Sequence, residues 1–197
     1  SGGDPLSLSD RRLTQLSDEL QAVRHVRRLR IHTRYPIVLP ERVDAGLLKW
    51  LARVPLQKVI VIHANHANEI DERVRRACAD LIAAGATLLN QSVLLAGVND
   101  SAATLAALSE SLFAARVLPY YLHLLDKVQG AAHFDVDEHR ALQLHRELTA
   151  RLPGYLVPRL VPEIAGAPPK PPPERADWQK SHLLPGAVER ASAAFDQ

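Results

Sequence analysis

The 197-residue chain contains no methionine, a single cysteine and few aromatic side chains. One cysteine, Cys78, excludes an internal disulfide framework and any cysteine-built metal cluster within these residues. Charge of one sign is also lacking. The formal net charge is +2, the arginines are scattered, and no basic run is interleaved with aromatics, so nothing points to a nucleic-acid partner. No apolar stretch approaches the ~20 residues that span a bilayer, so no membrane partner is expected. The chain opens on Ser1 rather than methionine, so the lack of a secretory leader there carries no weight, and the cytoplasm is the default compartment. What is present is ordinary for a globular protein: 47% hydrophobic and 23% charged residues, in a length that fits one domain with a real core.

The chain alternates helix and strand patterns. Leu8, Leu13, Leu16, Leu20 and Val23 recur at helical spacing within 7–28, with Ser7 or Ser9 as candidate caps. A short strand follows over 29–33, then a helix over 44–53. The apolar, β-branched run from Lys58 to His63 reads as a strand of a buried parallel sheet. A helix over 69–84 closes at Gly85. Next come a strand over 88–95, a helix capped by Asn99 or Asp100 and running to Ala115, and a strand over 117–125. A helix over 135–152 stops at Pro153-Gly154, and a strand over 156–164 ends the pattern. Regular βα alternation predicts parallel strands joined by right-handed crossovers, in an α/β barrel or a doubly wound sheet. After Ala165 five prolines surround Lys170, and the remainder is polar.

Parallel α/β folds carry their chemistry at the C-terminal ends of the strands. Those ends are polar here: His32-Thr33-Arg34; His63-Ala64-Asn65-His66 with Asn68 and Glu69; Asn90-Gln91-Ser92; His123 to Asp126; and Glu163, seven residues before Lys170. His63 and His66 have the spacing of a metal pair but no third ligand nearby, and hydrogen bonding to a ligand or to backbone is the alternative. Asp126 and Glu163 could serve acid–base chemistry, receive a cationic substrate, or be exposed loop acids. Lys170 is either a solvated linker residue or, stiffened by prolines, a lysine for imine chemistry with an aldehyde cofactor. At the chain's start, Gly2 and Gly3 let backbone approach a ligand closely, and Asp4 could receive an amine; a plain turn capped by Asp4 is the alternative.

Taken together, these motifs resemble the lysine 2,3-aminomutase family of radical S-adenosylmethionine enzymes. The matching stretches are Ser1-Gly-Gly-Asp-Pro-Leu6, His32-Thr-Arg34, His63-Ala-Asn-His-Ala-Asn-Glu-Ile70, Asn90-Gln-Ser-Val-Leu-Leu-Ala-Gly-Val-Asn-Asp100, Pro119-Tyr-Tyr121 leading to Asp126, and Gly130 with His133-Phe134. The likeness covers roughly 1–170 and is nearest to the short branch that makes (R)-β-lysine for modifying elongation factor P. It implies an α/β fold: the C-terminal part of a partial (β/α)6 radical-SAM-type barrel over 1–170, with a proline-rich and polar tail over 171–197.

The resemblance also implies roles. Gly2, Gly3 and Asp4 correspond to the turn that holds the methionine amino group of S-adenosylmethionine. Asp126 and Glu163 align with the acids that bind the ε-ammonium of L-lysine, and Lys170 with the lysine that carries pyridoxal 5'-phosphate. Gln91, His63 and Asn65 fall where the family contacts its cofactors. The cysteine triad that ligates the family's [4Fe–4S] cluster lies upstream of the Gly-Gly-Asp turn and is not in this chain, so these residues alone are expected to be inactive. The zinc-binding cysteines of the longer metabolic members are also missing, and Ser101 stands where one would fall. Other readings remain: a catabolic lysine 2,3-aminomutase, or a non-catalytic α/β binding domain. Proteins of the elongation factor P pathway are the implied partners, and a homo-oligomer is left open.

Overall fold

A computed structural model describes residues 3–126 and 130–161. All of them fall in the first of two compact units of the chain. Gly2, Glu163, Lys170 and the expected boundary at 170/171 lie outside the described residues.

Five parallel strands form one sheet in the order of the chain: β1 (Arg28–Thr33), β2 (Gln57–Ile62), β3 (Ala86–Val93), β4 (Leu118–His123) and β5 (Arg159–Val161). Between and around them run α1 (Asp10–Ala22), α2 (Tyr35–Val38), α3 (Ala45–Arg53), α4 (Glu72–Ala83), α5 (Ala102–Ala114) and α6 (Glu138–Arg151). Strand order that follows chain order, with crossovers of one hand, places every crossover helix on the same side. This removes the doubly wound alternative and leaves the singly wound, barrel-type sheet.

The burial pattern records that one-sidedness residue by residue, because side chains alternate across a strand. Ile31, Ile60, Ile62, Leu88 and Leu122 point to the helices and are buried. Two apolar clusters form there. One joins β1–β3 to α1, α3 and α4, through Leu13, Leu47, Leu51, Cys78 and Leu81. The other joins β4 to α5 and α6, through Leu105, Leu144 and Leu148. The alternate positions Arg30, His32, Val59, Leu89, Gln91, Val93, Tyr121 and His123 are half-buried or exposed; Val61 is the buried exception.

That second face is concave. His32 on β1 and His123 on β4 sense one another electrostatically, as do Arg30 on β1 and Tyr120 on β4. A flat sheet would keep strands three places apart about 14 Å from each other. A register shift at Asn90/Gln91 adds a local bend, and it turns Tyr120 and Tyr121 together, ring centroids 3.7 Å apart and hydroxyls hydrogen-bonded at 2.9 Å.

Helix starts differ from the sequence expectation by a few residues, for identifiable reasons. The helix read as 69–84 begins at Glu72 under an Asp71 cap, and Ala67–Glu69 is a separate 3-10 turn capped by His66. Gly85 follows with a φ of +90°, as its closing role requires. Ser101, not Asn99 or Asp100, caps α5 by accepting from the Thr104 amide, since both acid-amide side chains are engaged in the preceding loop. The last strand starts at Arg159 rather than at Leu156, because Gly154–Leu156 forms a 3-10 turn.

Candidate functional site

The C-terminal ends of β1–β4 and the turn at Asp4 converge on one rim. Asp4 caps the 3-10 turn Pro5–Ser7 by accepting from the Leu6 amide through one carboxylate oxygen, at 3.0 Å. The other oxygen accepts from Thr33 Oγ1 at 3.0 Å and from the Arg34 amide at 2.6 Å. Its carboxylate is therefore a latch, tying the turn at Asp4 to the end of β1. Gly3 is exposed, and a Cβ there would meet nothing within 4 Å. Open space beside backbone is what a bound ligand needs.

The histidines sit together on the concave side of this rim. The rings of His32 and His63 meet edge to face, centroids 6.0 Å apart at 88°. His123 meets Tyr121 in the same manner at 5.4 Å. Burial, then the positive neighbours His32 and Arg34, pushes the His63 pKa below its usual value; Asp4 opposes this and His123 adds to it. His32 is lowered as well, by burial first and then by Arg30 and His123. Both rings are thereby biased toward the neutral form at neutral pH. His63 Nε2 is buried with no hydrogen-bond partner among the described residues. A buried polar atom of that kind calls for a partner.

The sequence groups several polar residues that the structure separates. Of Asn90-Gln91-Ser92, only Gln91 lies on the concave face; Asn90 and Ser92 point to the helix side and are buried. Asn65 Oδ1 accepts from the Val93 amide at 2.8 Å, so that oxygen is committed to the loop. Glu69 accepts from the amides of Asn65 and His66, at 2.6 and 2.8 Å. His66 Nδ1 accepts from the Asn68 amide at 3.1 Å, which is the hydrogen-bonding alternative to metal ligation. Asp126 is exposed just beyond β4. Arg30 and Arg159, on the same concave face, were not singled out from sequence, and the tyrosine pair entered only within the Pro119-Tyr-Tyr121 stretch. The signal for Arg30 was period-2 polarity, Arg30-x-His32-x-Arg34, alternating with the buried Ile31 and Thr33.

This half-covered sheet with a polar rim has counterparts among known proteins. The chain is 56% identical over 172 residues to an L-lysine 2,3-aminomutase from Escherichia coli (strain K12), covering 87% of this chain and 50% of that protein. It is 52% identical over 170 residues to an L-lysine 2,3-aminomutase from Haemophilus influenzae, covering 86% and 50%. A third, from Buchnera aphidicola, is 47% identical over 166 residues, covering 84% and 49%. Over these residues the chain is similar to L-lysine 2,3-aminomutases. It spans about half the length of the curated relatives it matches. No family model matches it.

The fold of the chain is also similar to a solved structure, a radical SAM methyltransferase from Sphaerobacter thermophilus. The TM-score is 0.50 at 18% identity, over 70% of this chain and 41% of the other. At that identity the likeness speaks for the fold alone. Among the described residues no helix is long and apolar enough to cross a membrane.

Proposed function

We propose that this chain carries the lysine- and cofactor-facing part of an L-lysine 2,3-aminomutase. In this reading the enzyme works in the cytoplasm with S-adenosylmethionine, pyridoxal phosphate and a [4Fe–4S] cluster, and its (R)-β-lysine serves the modification of elongation factor P. The observation that carries the reading is the 56% identity to the E. coli L-lysine 2,3-aminomutase across nearly all of the described residues. The elongation factor P branch is favoured by Ser101, which caps α5 where the longer members place a zinc cysteine.

The rim fits S-adenosylmethionine. Gly3 leaves space beside backbone, Asp4 fixes the turn, and His63 Nε2 and Gln91 offer polar atoms on the concave face. The same residues do not fit an iron–sulfur cluster. Cys78 is the sole thiol, buried in α4, and burial pushes its pKa up to about 11, so it stays a protonated core residue. Thiolates for such a cluster would have to come from outside these residues. Lys170 and Glu163 keep their proposed roles, toward pyridoxal phosphate and the substrate ε-ammonium, on resemblance alone. When bound, S-adenosylmethionine and pyridoxal phosphate supply hydrogen abstraction and a hold on the migrating nitrogen.

The chain's own residues bind and position. Asp126, at the mouth beyond β4, gives the substrate ammonium a carboxylate partner, which a cation entering a partly dry site requires. Neutral His32 and His63 line the concave face without adding charge that would repel lysine. The test is conversion of isotope-labelled L-lysine by the reconstituted full-length protein, followed by NMR. β-Lysine should form, and Asp126→Ala should lower kcat/KM roughly tenfold to a hundredfold. Absence of β-lysine from protein shown to hold its cofactors contradicts the reading.

A further inference from the structure

Beyond the rim itself, the structure shows what sets the direction of its most buried histidine. We infer that Asn90 is a positioning residue for His63: from the helix side of the sheet it grips both backbone groups of Ala64 and so fixes how His63 faces the concave side. The inference rests on reading that face as the cofactor face.

The register pairs Ile62 of β2 with Asn90 of β3, and there the β2 strand ends. The Asn90 side chain takes over where the ladder stops. Its Oδ1 accepts from the Ala64 amide at 2.8 Å, and its Nδ2 donates to the Ala64 carbonyl at 3.0 Å. An asparagine amide carries one acceptor and donors on a single planar group, the pair that a neighbouring peptide would present. Aspartate lacks the donor and leucine lacks both. Ser92 Oγ donates to the same Ala64 carbonyl at 2.9 Å and accepts from Asn90 Nδ2 at 2.8 Å, so Asn90 is itself held. Ala64, Asn90 and Ser92 are all buried.

A second asparagine secures the next residue. Asn99, fully buried, donates through Nδ2 to the carbonyls of Asn65 and Val93, both at 2.9 Å, and accepts from the Leu95 amide at 2.7 Å. His63 thus sits between Ile62, fixed in the sheet, and Ala64, fixed by Asn90. With both flanking peptides set, the Cα–Cβ direction of His63 is set too. Nothing at the far end of the ring does this work, because Nε2 has no partner among the described residues. The groups around it are His32, Arg34, Asp4 and His123, which act through space.

The test uses the full-length protein and two readouts, histidine titration by NMR and S-adenosylmethionine binding by calorimetry. In Asn90→Ala the loop loosens and the His63 ring gains water, so its midpoint should rise toward the ordinary value. S-Adenosylmethionine affinity should fall roughly tenfold, and Asn90→Ala added to His63→Ala should cost little more than His63→Ala alone. A purely structural role lowers Tm but leaves the His63 midpoint in place and the two losses additive; that result overturns the inference. If Asn90→Ala does not fold, Ser92→Ala removes one of the two bonds to the Ala64 carbonyl and should shift His63 in the same direction; an unmoved His63 then overturns it. Wild-type protein that binds no S-adenosylmethionine defeats the cofactor reading, while the titration still decides the role of Asn90.

Discussion

The two faces of the sheet use the same five strands for opposite ends. On the helix side Ile31, Ile60, Ile62, Leu88 and Leu122 are buried in apolar clusters. On the concave side Arg30, His32, Gln91, Tyr121 and His123 alternate with them, half-buried or exposed. A strand of an ordinary closed core has no reason to carry that polarity. The difference teaches that stability and recognition are divided between faces, one residue apart in sequence. At the C-terminal ends the division is crossed at Thr33, which bonds Asp4, and at Asn90 and Ser92, which bring polar groups to the buried face to hold the loop that carries His63.

The comparison breaks first, and by the largest amount, if the faces respond alike to truncation. Ile62→Ala opens a cavity in the covered face and should cost about 2–5 kcal/mol. Gln91→Ala, on the concave face of the neighbouring strand, should stay within about 0.5 kcal/mol. Denaturant unfolding measures both. Equal losses would mean that the concave face is packed as a core and that the division is wrong.

Much of that division was legible in the sequence, and the part that was not has physical reasons. The strands were readable because β-branched runs such as Lys58–His63 have few alternatives, and chain-order alternation gave parallel pairing. The rim was readable because polar residues cluster after each strand. Which of Asn90, Gln91 and Ser92 faces the rim was not, since period 2 assigns faces only once the register is known, and a bend at this point shifts it. Asp4 read as a turn cap or as a group receiving an amine; it does cap the turn, and the added hydrogen bonds from Thr33 and Arg34 come from residues 29 and 30 positions away, which no local pattern reveals. Asn99 looked like a helix cap because it precedes one, and it is used instead by the loop.

A smaller effect sharpens the comparison through pH. His32 and His63 have lowered pKa values in the folded chain, chiefly from burial. Between those values and the ordinary 6.5, the unfolded chain binds more protons, so stability rises with pH through that window and levels off above it. Tm should therefore be flat above about pH 7 and should decline as pH falls below about 6.5. His63→Gln should flatten the decline. A decline equally steep in His63→Gln would place the responsible groups elsewhere.

The central claim is that the concave face, and not the helix face, receives the ligand. Histidine NMR of the full-length protein during titration with S-adenosylmethionine tests it most directly. The account predicts saturable shifts at His32 and His63 with His145 unmoved; shifts confined to His145, or binding that leaves His32 and His63 untouched, would contradict it.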